Sequence, residues 1–455
     1  MEKKTNRREF LTVSAVAGLG LKLGGRSPAG AETASRSSSS VSSYRRPEGF
    51  ASEPMETVRM AFVGVGLQGG SHVRNFLGID GVEIVALCDI DGPRAEEVAG
   101  WVAEDGRSKP DLYTGGETDY RRLCERDDID LVLNSTPWRW HVPVCVEAME
   151  TGKHTAVEVP AAYTIDGCWE LVDTAERTRR NCVMMENCCY GYREMMILNM
   201  VRAGLLGELL HAEGAYIHDL RSVKFSDENE GLWRLEHSIG RNGNLYPTHG
   251  IGPVAQCLDI NRGDRFKYLV SMSCNARGLD LYAQANLDPS DPRAQKHYSL
   301  GDMNSSLIRT ELGRTILLQH DTTSPRPYSR INLVQGTRGT VTGYPDRICL
   351  EGRSPEHDWE PLEVYREEFE HPLWAEQGEA AAGARHGGMD FMEDYRLIKC
   401  LRQGLSTDMD VYDAAAWSVL TEVSERSVAQ GSQPIEIPDF TRGAWAKKTP
   451  LGIVT

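Results

Sequence analysis

Two periodicities divide the chain. Short apolar runs at Val58–Val63, Val82–Cys88, Ile129–Leu133, Thr155–Val157 and Val183–Met185 read as strands. Between them lie a polar stretch with Tyr120-Arg121-Arg122-Leu123 and helices over Val142–Met149 and Ile165–Arg179. Near-continuous apolar strands alternating with helices predict a doubly wound parallel sheet, buried on both faces. After residue 190 the period changes. A helix over Arg193–Gly204 leads into extended segments at Leu209–Ile217, Tyr268–Met272, Ser305–Glu311, Thr315–His320, Ile331–Val334 and Gly339–Gly343. Several alternate apolar and polar, as an antiparallel sheet with one solvent face does. Helices over Arg385–Gln403 and Met409–Ala429 close the chain.

The first strand runs into Gly64-Val65-Gly66-Leu67-Gln68-Gly69. In that pattern the first glycine permits a tight turn, the second lets backbone approach a pyrophosphate, and the third allows close helix–strand packing. A helix starting near Gly70 would offer free N–H groups and its positive dipole end to phosphates. The second strand ends in Asp89, placed where a carboxylate accepts hydrogen bonds from an adenosine ribose. Strand, glycines, helix and acid in this order predict a dinucleotide-binding Rossmann domain over 56–190, followed by an α+β domain with a largely antiparallel open sheet over 191–455. Asp89 favours NAD over NADP because it would repel a 2′-phosphate; Arg94 is the nearby basic residue that could soften this. Ligands of such sheets lie at the carboxyl ends of the strands. Trp138, His141, Glu158 with Val159, and Asn187 occupy those ends and are assigned to the nicotinamide side.

The N-terminus follows other rules. Lys3, Lys4 and the Arg7-Arg8-Glu9-Phe10-Leu11 pattern precede a weakly apolar run, Thr12–Leu23, and the small-residue triplet Ala29-Gly30-Ala31. This order predicts a twin-arginine signal peptide over 1–31, hence export to the periplasm or beyond the bacterial cell. A Ser-rich linker over 32–55 follows, too polar to order itself. No later apolar run is long enough to span a membrane.

Composition narrows the class. The 455 residues carry 66 acidic and 50 basic side chains, a net charge of −16 that becomes about −20 once 1–31 is removed. That balance argues against nucleic-acid or anionic-membrane surfaces. Eleven cysteines are far below disulfide-scaffold density. Cys182, Cys188 and Cys189 lack a second cluster at zinc spacing and read as buried thiols, and nothing implies a metal. Walker A, Gly-x-Ser-x-Gly and His-Glu-x-x-His sequences are all missing.

With these residues in view, the sequence resembles the Gfo/Idh/MocA oxidoreductases. Within that family it resembles glycoside hydrolase family 109, the NAD-dependent α-N-acetylgalactosaminidases. The likeness covers roughly 56–450 and rests on residues 64–70, Trp138–His141, Val157-Glu158-Val159-Pro160, Met185-Glu186-Asn187 with Tyr190, Trp233-Arg234, Tyr246-Pro247-Thr248-His249-Gly250 and Tyr328. Many sugar dehydrogenases of the wider family carry a catalytic lysine where this chain has Val159, so His249 becomes the candidate for that acid–base work.

The resemblance implies hydrolysis through transient oxidation, outside two-carboxylate glycosidase chemistry. Oxidation at sugar C3 acidifies the C2 proton, the C1 substituent is eliminated, water adds, and the ketone is reduced again. It implies His249 as base for the C3 hydroxyl and Tyr246 or Tyr190 for the C2 proton. Tyr216, Arg234, Tyr246, Pro247, Thr248, His249 and Tyr328 would bind the terminal α-GalNAc of a glycan. A homo-oligomer through the open sheet is compatible with the family. Two other readings stay open: a periplasmic sugar oxidoreductase with tightly held NAD(P), and a non-catalytic sugar- or nucleotide-binding protein.

Overall fold

The computed structural model describes residue 50, residues 52–447, residue 449 and residues 451–454. The expected signal peptide and nearly all of the Ser-rich linker lie outside the described residues. At the end of that linker, Phe50 is buried with its ring 5.9 Å from that of Tyr412, and Met55 packs against the core.

Six strands form the first sheet: β1 (Val58–Val63), β2 (Val82–Cys88), β3 (Asp111–Tyr113), β4 (Leu131–Asn134), β5 (His154–Val157) and β6 (Cys182–Met184). Their order is β3-β2-β1-β4-β5-β6, and every pairing is parallel. The order reverses between β1 and β4, which is where such sheets open a ligand crevice. β1, β4, β5 and β6 are almost wholly buried, as their unbroken apolar runs predict.

Nine strands form the second sheet: β7 (Leu209–Ile217), β8 (Phe266–Ser273), β9 (Asn304–Thr310), β10 (Thr315–Asp321), β11 (Leu333–Gly336), β12 (Gly339–Thr342), β13 (Arg347–Leu350), β14 (Glu360–Pro361) and β15 (Ile435–Glu436). The order is β14-β13-β12-β11-β7-β10-β9-β8-β15, antiparallel except for the parallel pair β7–β10. Alternate residues of β9 and β10 are buried, while Leu307 and Met272 stay exposed on the other face.

Several boundaries differ from expectation. The helix after the glycine turn begins at Leu67, with Gly66 as its N-cap, rather than near Gly70. The helix expected from Arg385 begins at Met389, because His386, Gly387 and Gly388 hold positive φ. Met409–Ala429 divides into Val411–Ser418 and Leu420–Ala429. A capping box between Asp410 and Asp413 fixes the start of the first. Short elements without periodicity of their own, such as β3, β13 and β14, escape a pattern reading altogether.

The two halves are knitted by elements far apart in sequence. The helix Met389–Gln403 packs on Leu67–Leu77, and Val411–Ser418 packs on Ile165–Thr178 and β6. The helix Thr248–Cys257 lies on β7 at very close range. A Cβ on Gly214 would sit 2.1 Å from the Gly250 carbonyl oxygen, and one on Gly250 would sit 2.6 Å from the Ala215 nitrogen. Only a glycine on each side allows this approach, and it carries His249 to the edge of the first sheet.

The glycine turn has equally specific demands. Gly64 has φ +84°, and a Cβ on Gly69 would fall 2.0 Å from the Gly64 carbonyl oxygen. Around Gly66 nothing lies within 4 Å of the added atom, so space remains over the helix N-terminus. The two positions should therefore respond differently. Gly69→Ala is expected to destabilise the fold by about 1–3 kcal/mol through overpacking. Gly66→Ala should cost less stability than Gly69→Ala while weakening NADH binding about tenfold or more, since its methyl occupies the pyrophosphate space. Calorimetry beside NADH fluorescence titration checks both; a Gly66→Ala protein that binds NADH normally contradicts this use of the space.

Candidate active site

At the C-terminal ends of β1 and β2 the dinucleotide features meet. No side chain caps the helix at Gly66, so its first N–H groups are available to a phosphate. Asp89 is half-buried. Its Oδ2 accepts from the Val65 N–H at 2.7 Å and its Oδ1 from the Asp91 N–H at 2.9 Å, which fixes the carboxylate while leaving lone pairs for ribose hydroxyls. Arg94 is spent on the turn itself: Nε donates to the Val65 carbonyl (2.8 Å), Nη2 to that of Gly66 (3.0 Å), and Nη1 to Glu97 (2.8 Å). It stiffens the loop instead of waiting for a 2′-phosphate. Uncapped helix, open space at Gly66 and anchored Asp89 fit an NAD-type dinucleotide.

Across the crevice, His249 and Glu186 form the central pair. His249 Nδ1 lies 2.7 Å from Glu186 Oε1, which also accepts from the Cys188 N–H at 3.2 Å. Glu186 is fully buried at the end of β6, whereas the His249 side chain keeps 13% exposure. Burial pushes the Glu186 carboxyl up, but the charge and hydrogen bond of His249, with that from Cys188, outweigh burial and hold it below its usual range. An ionised carboxylate on Nδ1 fixes the tautomer and leaves Nε2 free for a substrate proton. Sequence reasoning quoted Glu186 within the Met185-Glu186-Asn187 motif but gave it no role, because its partner lies 63 positions away.

Aromatic rings surround His249. Tyr216 is 5.3 Å and Tyr246 4.9 Å from its ring, and Tyr216 stands 6.1 Å from Tyr328. Tyr246 stacks on Trp138 at 5.8 Å, and the Arg234 guanidinium lies 4.7 Å from the Tyr246 ring centre and 5.5 Å from that of Trp138. Arg234 is buried and paired to Glu230. Pro247 and Thr248 are buried at the start of the His249 helix and position it. Burial drives the Tyr246 phenol well above its usual range, opposed by Arg234, and raises Tyr216 to about 12. Burial disfavours the ionised form of both phenols, and the neighbouring Arg234 favours it.

One assignment does not survive. Tyr190 points away from this cluster, its hydroxyl donating to Asp408 (3.1 Å) beneath the helix Met389–Gln403. His141 is buried, with Nδ1 2.7 Å from the Pro160 carbonyl and Nε2 2.9 Å from that of Thr136. It ties the loops after β4 and β5 together. Asn187 is buried and donates to Asp390 at 2.5 Å.

Glu158 belongs to a chain that no spacing rule reveals. Its Oε1 is 2.7 Å from Nε2 of His72, whose Nδ1 is 2.8 Å from Asp394. Burial would lower the His72 imidazole, but Asp394 and Glu158 outweigh it and raise the group well above its usual range. The His72 imidazole thus orients Glu158, whose side chain retains 16% exposure beside Val159.

Glu186, Cys188 and His249 offer ligand atoms within 4.8 Å of one another. Glu186 and His249 bond each other, and the Arg330 guanidinium donates to Cys188 sulfur at 3.2 Å, while Glu186 Oε2 keeps no hydrogen-bond partner. A resident cation beside a second cation would be repelled, so the cluster reads as a hydrogen-bonded dyad. Cys182, Cys188 and Cys189 are all buried free thiols.

Behind the cup, Lys224 is buried and donates to Ser238 (3.3 Å) and Thr322 (2.9 Å). Burial, reinforced by Arg234, lowers its ammonium from 10.5 to about 7. Between these values the unfolded chain binds the proton more readily, so this lysine makes stability rise with pH, by about 1.4 kcal/mol per unit. Below pH 7 both states are protonated and its penalty is constant. The unfolding free energy of the native protein minus that of Lys224→Met should therefore become more positive from pH 7 to pH 9 in urea titrations. An unchanging difference contradicts the burial argument.

Comparison with known proteins places this geometry. Residues 58–186 match the oxidoreductase family, NAD-binding Rossmann fold, and residues 190–447 match the glycosyl hydrolase 109 C-terminal domain. Glycosyl hydrolase family 109 proteins of Shewanella pealeana and Solibacter usitatus are each 49% identical, over 99% and 98% of this chain and 99% and 100% of theirs. Among solved structures, a levoglucosan dehydrogenase in complex with NADH superposes with TM-score 0.66 at 17% identity, over 84% of this chain and all of that one. A scyllo-inositol dehydrogenase of Lactobacillus casei with bound NAD(H) and scyllo-inositol gives 0.60 at 13%, over 84% of this chain and 99% of that one. The parallel Rossmann sheet and the mixed second sheet are those of these oxidoreductases, and NAD is the cofactor. The chain belongs to glycosyl hydrolase family 109.

Proposed function

We propose that the protein removes terminal α-N-acetylgalactosamine from glycoconjugates by oxidation at C3, elimination of the aglycone, addition of water and re-reduction. The observation that carries this reading is the Glu186–His249 dyad inside an aromatic cup, opposite a valine at position 159. The levoglucosan and scyllo-inositol dehydrogenases of the same fold act on polyhydroxylated rings, which supports a sugar at this place.

NAD, when bound, takes the hydride from C3 and returns it at the end of each turnover. The protein handles protons and position. His249 Nε2 accepts the C3 hydroxyl proton while Glu186 stabilises the imidazolium that forms. With Tyr190 turned away, we assign the C2 proton to Glu158, the carboxylate oriented by His72. Tyr246 then donates to a sugar oxygen, and Arg234 gives a fixed fork of donors to the acetamide or hydroxyls. The rings of Trp138, Tyr216 and Tyr328 cover the apolar faces of the sugar.

A chromogenic α-GalNAc glycoside, with no oxidant added, tests the reading. Release of the aglycone without net NADH is expected, and His249→Ala should lower kcat by about 10²–10⁴-fold while NADH still binds. Steady accumulation of NADH or of reduced sugar would instead make the protein a net sugar oxidoreductase. Tight sugar binding without any product would make it a sensor.

We also propose export by the twin-arginine route, on the order of charge, apolar run and small-residue site in 1–31. Replacing Arg7 and Arg8 together by lysine should retain the protein in the cytoplasm on cell fractionation; unchanged export overturns the assignment.

A further inference from the structure

The residues Arg385–Gly388 come from the far end of the chain yet cross the dinucleotide turn. His386, Gly387 and Gly388 have φ of 53°, 71° and 92°, three consecutive left-handed residues. For His386 that conformation is costly and persists only where surroundings enforce it. What enforces it is Asp390. This fully buried carboxylate lies 2.8 Å from His386 Nδ1, and it accepts from Gln68 Nε2 at 3.3 Å and Asn187 Nδ2 at 2.5 Å. One side chain thus ties the strap to the glycine turn and to the end of β6. Burial pushes the Asp390 carboxyl up, but His386, His72 and Asn187 outweigh it and hold the group below its usual range.

The strap carries Arg385 to the first turn of the helix Leu67–Leu77. Its Nη1 donates to the Leu67 carbonyl at 3.4 Å, and no other hydrogen bond engages this exposed guanidinium among the described residues. Its charge also helps hold Glu230, the partner of Arg234, below the usual carboxylate range, so it stands between the glycine turn and the sugar cup.

A dinucleotide pyrophosphate brings two negative charges to this place. The glycine turn offers N–H groups and a helix dipole, but its own arginine, Arg94, is consumed by Val65, Gly66 and Glu97. The cation with free donors beside that turn is Arg385. We propose that Arg385 is a clasp on the pyrophosphate of bound NAD, held in place by the His386–Asp390 bond, so that the second domain helps to retain the cofactor. A guanidinium fork suits phosphate oxygens, and breaking its long contact with the Leu67 carbonyl costs little. The inference rests on the NAD-binding fold and not on the glycosidase reading, so it can fail while that reading stands, and the converse.

The test measures binding, not turnover. The full chain is stripped of nucleotide and titrated with NADH by fluorescence, with ADP-ribose and adenosine as competitors. Arg385→Ala should weaken NADH and ADP-ribose by the same factor, about tenfold or more, leave adenosine unaffected, and flatten the salt dependence of NADH binding. Arg385→Lys should recover part of the loss. Asp390→Asn, which loosens the strap while leaving Arg385 in the chain, should weaken NADH less than Arg385→Ala does. NADH affinity unchanged in Arg385→Ala overturns the proposal. So does an equal loss for adenosine, which would mean that Arg385 merely shapes the turn.

Discussion

The site depends on one hydrogen bond that crosses from one sheet to the other. Glu186 ends β6 of the parallel sheet; His249 stands on a helix that follows β7. The 2.7 Å contact between them is possible only because Gly214 and Gly250 let that helix settle onto β7, closer than any side chain would allow. A buried carboxylate without a partner is costly, whereas one oxygen facing an imidazole lowers that cost and gives the imidazole a single orientation. The same bond therefore stabilises the contact between the halves and orients His249, the residue proposed as base.

A second set of polar contacts links the halves from the opposite flank. His72 with Asp394, and Gln68 and Asn187 with Asp390, join the glycine turn and β6 to the helix Met389–Gln403. Cofactor and substrate walls are thereby built from both ends of the chain. Such an arrangement suits a reaction in which NAD is reoxidised at every turnover and need not leave. The acidic surface then serves solubility around a pocket for a neutral sugar.

Much of this was legible in order along the chain. The apolar runs of β1, β2 and β7 carry their own boundaries, and the glycine turn with Asp89 announces the dinucleotide site. Trp138, Tyr216, Tyr246, His249 and Tyr328, quoted separately along the chain, lie against one another. What stayed hidden is contact across long separations. Glu186, His72, Asp390 and Asp394 look like ordinary polar positions until the fold brings them to His249, Glu158 and Asn187. Tyr190 fails for the converse reason: it is near the motif in sequence, but the turn Asn187–Tyr190 points its phenol into the packing around Asp408.

The central claim is that the glycosidic bond breaks by elimination after oxidation, not by direct displacement. Hydrolysis of an α-GalNAc glycoside in deuterium oxide tests it, with the released sugar read by NMR. The account predicts deuterium at C2 of the product, because that proton leaves before the aglycone and returns from solvent. A product whose C2 proton comes wholly from the substrate contradicts it.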